Sequence, residues 1–116
     1  MGQTNYSVGH EAEKRAAEYL QKLGYTIRDM NWKNRFCEID IVAKKDKTLY
    51  FVEVKYRKNY QQGAGLDYIT PKKLRQMEFA AQMWIQNHRW NYSYTLSAIE
   101  MTGEHFSVLN FIETIA

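Results

Sequence analysis

Cysteine is nearly absent from this chain, and the features of several protein classes are missing with it. The single cysteine, Cys37, excludes an internal disulfide and a cysteine-based zinc site. The three histidines are too scattered to give the ligand spacing of a zinc site. No apolar run approaches the roughly 20 residues of a membrane span, and the stretch MGQTNYSVGHEAEKR has no apolar signal core. These absences predict a soluble, cytoplasmic protein without a membrane partner.

The composition is that of an ordinary globular protein. The 116 residues suffice for one domain, 1–116, and 45% of them are hydrophobic while 25% are charged. The formal net charge of +3 permits contact with phosphates without requiring it. Nine tyrosines and three tryptophans supply rings that either pack in a core or stack on nucleic-acid bases.

Hydrophobic periodicity predicts two amphipathic helices. The first is SVGHEAEKRAAEYLQKLGY, with Ser7 as its cap and Gly24 as the residue that ends it. The second is TPKKLRQMEFAAQMWIQNHR, with Thr70 as its cap and a proline at its first position, where the missing N–H costs nothing.

Strand patterns fill the rest of the chain. The stretch YTIRDMNWKNRF is extended and then loop-like, and the runs CEIDIVAKK and TLYFVEVKYR form a hairpin. Two further runs, NYSYTLSAIEM and HFSVLNFIE, form a closing pair of strands. This order predicts an α/β domain in which helices pack against a central mixed sheet.

Charged residues interrupt the most strand-like run, LYFVEVKYRK. Glu53 and Lys55 lie two apart on it and therefore point to one face, and Asp40 on the partner strand can lie beside Glu53 if the register allows. Glu13 falls on the apolar stripe of the first helix and faces the sheet. Carboxylates in such positions need a hydrogen-bond partner, a counter-charge or a metal ion.

Three carboxylates and a lysine in one place indicate a definite chemistry. Oxygen ligands suit Mg²⁺ or Mn²⁺ rather than zinc. Such an ion can bridge a phosphate oxygen and lower the pKa of a bound water, and a neighbouring lysine can orient that water. These groups equip a protein for phosphodiester hydrolysis. The alternative is a set of exposed acids along one sheet face, salt-bridged to Lys55.

Basic residues accompany the acids and could hold phosphates in a cleft. They are Arg35, Arg57, Lys58, Lys72, Lys73 and Arg75. A solvated charged face is the alternative for all of them. In the stretch DMNWKNRF, Trp32 could help to hold a base, or could simply pack the loop.

Four blocks of sequence carry a family resemblance. GHEAEKRAAEYLQKLGY, EIDIVA, FVEVKYR and ITPKKLRQMEFAAQMWI, in this order and spacing, resemble the YraN-type family of small bacterial proteins. That family implies a restriction-endonuclease-like fold. The same acids and lysine are similar to the PD-(D/E)xK signature of nucleases, as used by archaeal Holliday junction resolvases.

The resemblance implies a nuclease that depends on Mg²⁺ or Mn²⁺ and acts on nucleic acid, with branched or single-stranded DNA favoured over RNA. In this hypothesis Asp40 and Glu53 bind the metal, with the backbone carbonyl of Val54 as a further ligand. Glu13 completes the ligand set directly or through water, and Lys55 assists the attacking water.

Nucleic-acid contacts in this hypothesis fall on Arg57 and Lys73, with Arg35 and Lys58 as further candidates. The protein could also form a homodimer, because a small nuclease often needs two copies to cut two strands. Two other interpretations remain open. One is a non-catalytic nucleic-acid-binding module that keeps the nuclease fold, and the other is a protein-interaction domain whose acids are structural.

Overall fold

A computed structural model describes residues 5–59 and 65–115 of the chain. Its helices are α1 (Asn5–Lys22) and α2 (Pro71–His88), and its strands are β1 (Thr26–Lys33), β2 (Glu38–Lys45), β3 (Thr48–Arg57), β4 (Ser93–Thr102) and β5 (Ser107–Ile112). Within those ranges neither helix is long and apolar enough to cross a membrane.

The five strands form one mixed sheet in the order β1-β2-β3-β4-β5. Neighbouring strands are antiparallel except β3 and β4, which are parallel. Parallel strands cannot be joined by a tight turn, and the connection between these two contains α2. The α/β fold with a central mixed sheet and flanking helices is thereby confirmed, and it is consistent with a restriction-endonuclease-like core.

Apolar clusters lie on both faces of the sheet, because successive strand residues point to opposite sides. On one face α1 packs against the sheet, and the buried residues include Ala16, Leu20, Ile41, Val52 and Ile99. On the other face α2 packs against it, and the buried residues include Val42, Phe51, Met77, Ala81 and Trp84. Each helix therefore covers one face, and its position fixes which strand residues it can approach.

The ends of the helices test three expectations. Helix α1 already begins at Asn5, so Ser7 lies inside the helix and its prediction as the cap is wrong. Gly24 does end α1: its φ is +97°, and the following amide of Tyr25 donates to the carbonyl of Leu20 at 3.0 Å. The Oγ1 of Thr70 accepts a hydrogen bond from the amide of Lys73 at 3.1 Å, which confirms the cap of α2.

The predicted hairpin is confirmed as β2 and β3. Lys45 pairs with Thr48 across a two-residue turn, in which Asp46 adopts a φ of +56°. The pairing continues to Ile41 and Val52, which are the last pair of the ladder. This register decides which residues of the two strands meet beyond that pair.

Strand β1 is longer than its sequence indicated. The loop-like part of that stretch was expected to leave the sheet, yet Trp32 pairs with Ile39 and Lys33 with Glu38. Trp32 is half-buried and packs against the α2-side cluster. The packing interpretation therefore describes Trp32, and the loop proper is confined to the turn between β1 and β2.

Candidate active site

Asp40 and Glu53 lie where the pairing of β2 and β3 ends. They are the first residues beyond the last pair, Ile41 and Val52. The Oδ2 of Asp40 accepts a hydrogen bond from the backbone amide of Val54 at 2.8 Å. A side-chain oxygen thus satisfies an amide for which the ladder supplies no strand carbonyl.

Asp40 has an unusually high proton affinity. Its pKa is raised to about 7; burial is the largest cause, the negative charge of Glu53 adds to it, and the hydrogen bond from Val54 opposes the change. The charges of Glu13 and Glu38 add smaller increases. Burial and neighbouring negative charge therefore both make the ionised form of Asp40 costly.

Glu13 approaches these acids from α1, as its place on the sheet-facing stripe predicted. Its Oε2 is buried and has no hydrogen-bond partner among the described residues, although the Asn31 side chain hydrogen-bonds the carboxylate. Burial raises the pKa of Glu13, and the charges of Glu38 and Glu53 raise it too, while His10 opposes them. Buried polar atoms normally have a partner, so this oxygen marks a position that a water or a cation would fit.

Lys73 of α2 is the cation in direct contact with the acids. Its Nζ lies 2.9 Å from Oε2 of Glu53. Burial works to lower the pKa of Lys73, but the hydrogen bond and charge of Glu53 outweigh it and raise the pKa. The sequence marked Lys73 as a basic residue but gave no signal of this contact, because a long loop separates α2 from β3.

Lys55 lies two residues after Glu53 on β3 and makes no ion pair with the described acids. Its Nζ is 5.6 Å from the ring centroid of Tyr68, and within the described ranges no carboxylate lies within ion-pair distance of it. Burial and the charge of Glu53 raise the pKa of Tyr68, whose hydroxyl is buried without a hydrogen-bond partner in the described part of the chain. A cavity of about 310 Å³ opens at Lys55 and Tyr68.

Arg57 is buried, whereas binding a phosphate requires an accessible side chain. Only 6% of its side chain is exposed; its Nη2 lies 3.1 Å from Asp67 and its Nη1 lies 3.2 Å from Oε2 of Glu100. Glu100 is wholly buried and accepts a hydrogen bond from Asn110 at 2.8 Å. In this arrangement Arg57 is the counter-ion of Glu100, and its contact with nucleic acid stays a prediction.

The remaining predicted basic residues lie at the surface. Arg35 and Lys58 are both exposed, and the guanidinium of Arg35 lies 5.1 Å from the ring centroid of Phe36. Lys72 and Arg75 are exposed on α2, near Lys73.

The donor set fits a small number of direct ligands to a hard cation. In residues 5–59 and 65–115, no group of three or more His, Cys, Asp or Glu side chains is arranged to hold a metal ion. Mg²⁺, however, keeps several waters and commonly uses only one or two carboxylates of the protein. Asp40 and Glu53 would be such a pair. The oxygen of Glu13 that has no hydrogen-bond partner among the described residues, and the pKa of Asp40 raised by burial and by the charge of Glu53, are both features that a divalent ion would relieve.

Comparison with known proteins gives one family throughout. The model of the uncharacterised protein family UPF0102 matches residues 12–109. A UPF0102 protein of Pseudomonas fluorescens is 37% identical over 106 residues, which cover 90% of this chain and 88% of that protein. A UPF0102 protein of Vibrio parahaemolyticus is 36% identical over 100 residues, covering 83% of each. One of Fusobacterium nucleatum is 33% identical over 109 residues, covering 93% and 89%. The YraN-type resemblance is confirmed, and the chain belongs to the UPF0102 family.

Proposed function

We propose that this protein is a nuclease that hydrolyses phosphodiester bonds with the help of Mg²⁺ or Mn²⁺. The observation that carries the proposal is the register of β2 and β3, which puts Asp40 beside Glu53, together with the pKa of Asp40, which burial above all, and then the charges of Glu53 and Glu13, raise to about 7. Perturbed carboxylates that face a cleft are frequent at catalytic sites. Burial and neighbouring like charge both make ionised carboxylates costly to the fold, and a bound cation would offset that cost.

The proposed metal ligands are Asp40 and Glu53, with the carbonyl of Val54, the residue after Glu53, as a further ligand and Glu13 acting directly or through water. When bound, the ion would neutralise phosphate charge and lower the pKa of a water molecule. The side chain of Asp40 is fixed in orientation by the amide of Val54, which leaves its Oδ1 available as a ligand atom. Preorganised ligands of this kind lose little conformational entropy when the ion binds.

Lys55 and Lys73 would have separate roles in the reaction. Lys55 lies on the same side of β3 as Glu53 and would donate a hydrogen bond to the attacking water or to a non-bridging phosphate oxygen. Lys73 neutralises Glu53 in the free protein and would turn to a phosphate oxygen when the carboxylate takes a metal ligand's role. In the hydrolysis the water oxygen forms a bond to phosphorus and loses a proton to solvent, while the bond from phosphorus to the leaving oxygen breaks and that oxygen takes up a proton from solvent.

Cleavage of labelled DNA tests the proposal. Single-stranded, nicked and branched DNA should be cut by the wild type with Mg²⁺ or Mn²⁺, and neither Asp40→Asn nor Lys55→Ala should cut above background. Asp46→Asn and Lys47→Ala are matched controls, because both lie in the turn at the far end of the same hairpin. Equal cutting by the wild type and Asp40→Asn would identify a contaminating nuclease and sink the proposal.

A second candidate is a nucleic-acid-binding module without catalysis. The observation in its favour is the contact of Lys73 with Glu53, which occupies one of the two proposed metal ligands. Thermal unfolding separates the two candidates, since a ligand that binds the folded state raises its stability. At pH 8 the nuclease should gain stability from millimolar Mn²⁺ and Asp40→Asn should not, whereas the binding module should respond to DNA alone.

A further inference from the structure

A cleft of about 590 Å³ opens directly beside the Glu53–Lys73 pair. One of its walls is the turn between β1 and β2, and the other is the first half of α2. The lining residues that matter here are Phe36, Glu53, Lys72, Lys73, Arg75 and Phe79. Any molecule in this cleft reaches the proposed reaction centre at one end, so its chemistry bears on the substrate.

Two aromatic rings stand exposed in this cleft. Phe36 is 65% exposed and Phe79 is 49% exposed. Isolated exposed apolar residues are common on protein surfaces. Here, however, two phenyl rings line the same cavity from separate elements, and cations surround them.

The turn that carries Phe36 is well defined. The Oδ1 of Asn34 accepts hydrogen bonds from the amides of Phe36 at 2.8 Å and Cys37 at 3.0 Å. The amide of Asn34 in turn donates to the carbonyl of Cys37 at 3.0 Å. This side-chain mimic of a backbone turn directs Phe36 away from the core. The backbone that carries this exposed ring is therefore fixed before any partner arrives.

The opposite wall is one stripe of α2. Lys72, Arg75, Gln76 and Phe79 follow the i, i+3, i+4, i+7 spacing of a single helix face, and all four are exposed. Lys72 and Arg75 lie at the start of the stripe, and Phe79 lies one turn further on. This order of cations and ring matches the alternation of phosphates and bases along a nucleic-acid strand. The acids of the cleft are Glu38 and Glu53, and Glu53 is already paired with Lys73.

We propose that this cleft binds single-stranded nucleic acid, with unpaired bases stacked on Phe36 and Phe79 and phosphates held by Lys72 and Arg75. The proposal deepens the nuclease function. It rests on that function only for the expectation that a strand bound in the cleft reaches the reaction centre. Stacking needs the face of a base, which a duplex hides between its neighbours. The site is thereby selective for unpaired segments, and aromatic side chains with basic neighbours are the usual equipment for that task.

Binding measured without catalysis tests the proposal. Fluorescence anisotropy in EDTA would follow wild-type protein titrated into labelled oligo(dT) of about twelve nucleotides, within the usual range of such sites, and into a duplex of equal length. Phe36→Ala/Phe79→Ala should bind the single strand about tenfold or more weakly and the duplex almost unchanged. Phe36→Trp should retain single-strand affinity because it keeps a stacking face.

Two controls sharpen the result. Tyr92→Ala removes another exposed ring, 59% exposed and next to Trp90 instead of the cleft, and should leave both affinities unchanged. Lys72→Ala should weaken single-strand binding and reduce the slope of log K against log salt by about 0.7.

Several outcomes would overturn the proposal. Unchanged single-strand binding in the double variant would do so, and so would an equal loss for single strand and duplex. A wild-type dimer in light scattering that the double variant converts to monomer would make the cleft an interface between two copies. If the wild type binds single strands through the two rings but does not cut DNA, this proposal stands and the nuclease function alone is refuted.

Discussion

Asp40 shows how one residue can be costly to the fold and useful to the site. Its carboxyl replaces a strand carbonyl at the end of the β2–β3 ladder, and that place brings it close to Glu53. The price in the free protein is a raised pKa, because burial and the neighbouring charge both disfavour the ionised form. Stability should therefore depend on pH in a direction opposite to that of an ordinary paired aspartate.

Asp40→Asn should make the metal-free protein more stable at pH 8. The folded protein holds the Asp40 proton up to about pH 7, whereas an unfolded chain releases it near pH 3.9. Wild-type stability should consequently fall as the pH rises from about 4 through about 7. Asparagine keeps the acceptor for Val54 and carries no charge, so the gain should be on the order of 1–3 kcal/mol at pH 8.

Urea unfolding in EDTA at pH 4.5, 6 and 8 measures this difference, with Asp46→Asn as the matched control. A variant that is less stable than the wild type at pH 8 would show that Asp40 is a stabilising ion-pair partner, which is the structural interpretation of the acids.

The sequence predicted the positions of single residues in the sheet better than it predicted which side chains they contact. A two-residue turn at Asp46 and Lys47 fixes the register, and counting back from it places Asp40 beside Glu53. The contact of Glu53 with Lys73 and the hydrogen bond of Asn31 to Glu13 join elements distant in sequence. No local pattern encodes such contacts, because they depend on how α1 and α2 settle on the sheet.

Strand β3 has one apolar face and one charged face. Its valines at 52 and 54 pack towards α1, and its other face carries Glu53 at the cleft and Lys55 at the cavity that it shares with Tyr68. Further along that face, Arg57 pairs with Glu100 of the neighbouring parallel strand. The approach of Nη1 to Oε2 lacks hydrogen-bond geometry, so neither atom is fully satisfied within the described part of the chain. Charge neutralisation is the main contribution of this pair.

Arg57→Met should destabilise the protein by about 3–5 kcal/mol, because it leaves the wholly buried Glu100 without its counter-ion. The double variant Arg57→Met/Glu100→Met should recover much of this loss, since two apolar side chains leave no buried charge. Urea unfolding measures both. Arg15→Met is the matched control, because Arg15 pairs with Glu11 at the surface and should matter little.

A small loss for Arg57→Met would indicate that solvent or another group already compensates Glu100. Arg57 would then be free to serve as the phosphate contact that the family resemblance implies.

The boundaries of the helices and strands followed from the sequence wherever it contains a recognisable start or stop signal. Thr70 followed by proline starts α2, and Gly24 ends α1, as the sequence predicted. The start of α1 and the extent of β1 did not follow. Lys33 is polar and resembles a loop residue, but its pairing with Glu38 of β2 places it in the sheet.

The whole molecule has two apolar layers that share one sheet. Leu20 belongs to the α1 side, and it is fully buried. All three tryptophans belong to the other side or pack against it, namely Trp32, Trp84 and Trp90. Tryptophan fluorescence therefore reports on the α2 layer alone.

Leu20→Ala should cost about 2–5 kcal/mol through the cavity it leaves in the α1 layer. If the shared sheet couples the two layers, unfolding is two-state, and the tryptophan signal should shift to lower urea by the same amount as circular dichroism. Leu23→Ala is the control, because Leu23 is 44% exposed. A circular dichroism transition that moves while the fluorescence transition stays would demonstrate independent layers.

At the scale of the molecule, the alternation of helix and strand patterns was enough to predict a mixed sheet with flanking helices. The composition could not reveal the aromatic cleft, because Phe36 and Phe79 are far apart in sequence and each resembles an ordinary core residue. Their exposure depends on the turn held by Asn34 and on the rotation of α2.

The parallel pairing of β3 with β4 also has a consequence for the speed of folding. Strands β1 to β3 and strands β4 to β5 can each form from neighbouring segments, but the pairs from Thr48–Ser93 to Arg57–Thr102 must close a loop that contains α2. Loop closure of this kind is slow relative to hairpin formation. We expect Ile99→Ala, within this pairing, to slow refolding in stopped-flow experiments, and Val108→Ala on β5 to act mainly on unfolding. Until that closure is complete, the edges of β3 and β4 stay open to other chains, so the newly made protein is most prone to aggregation at this step.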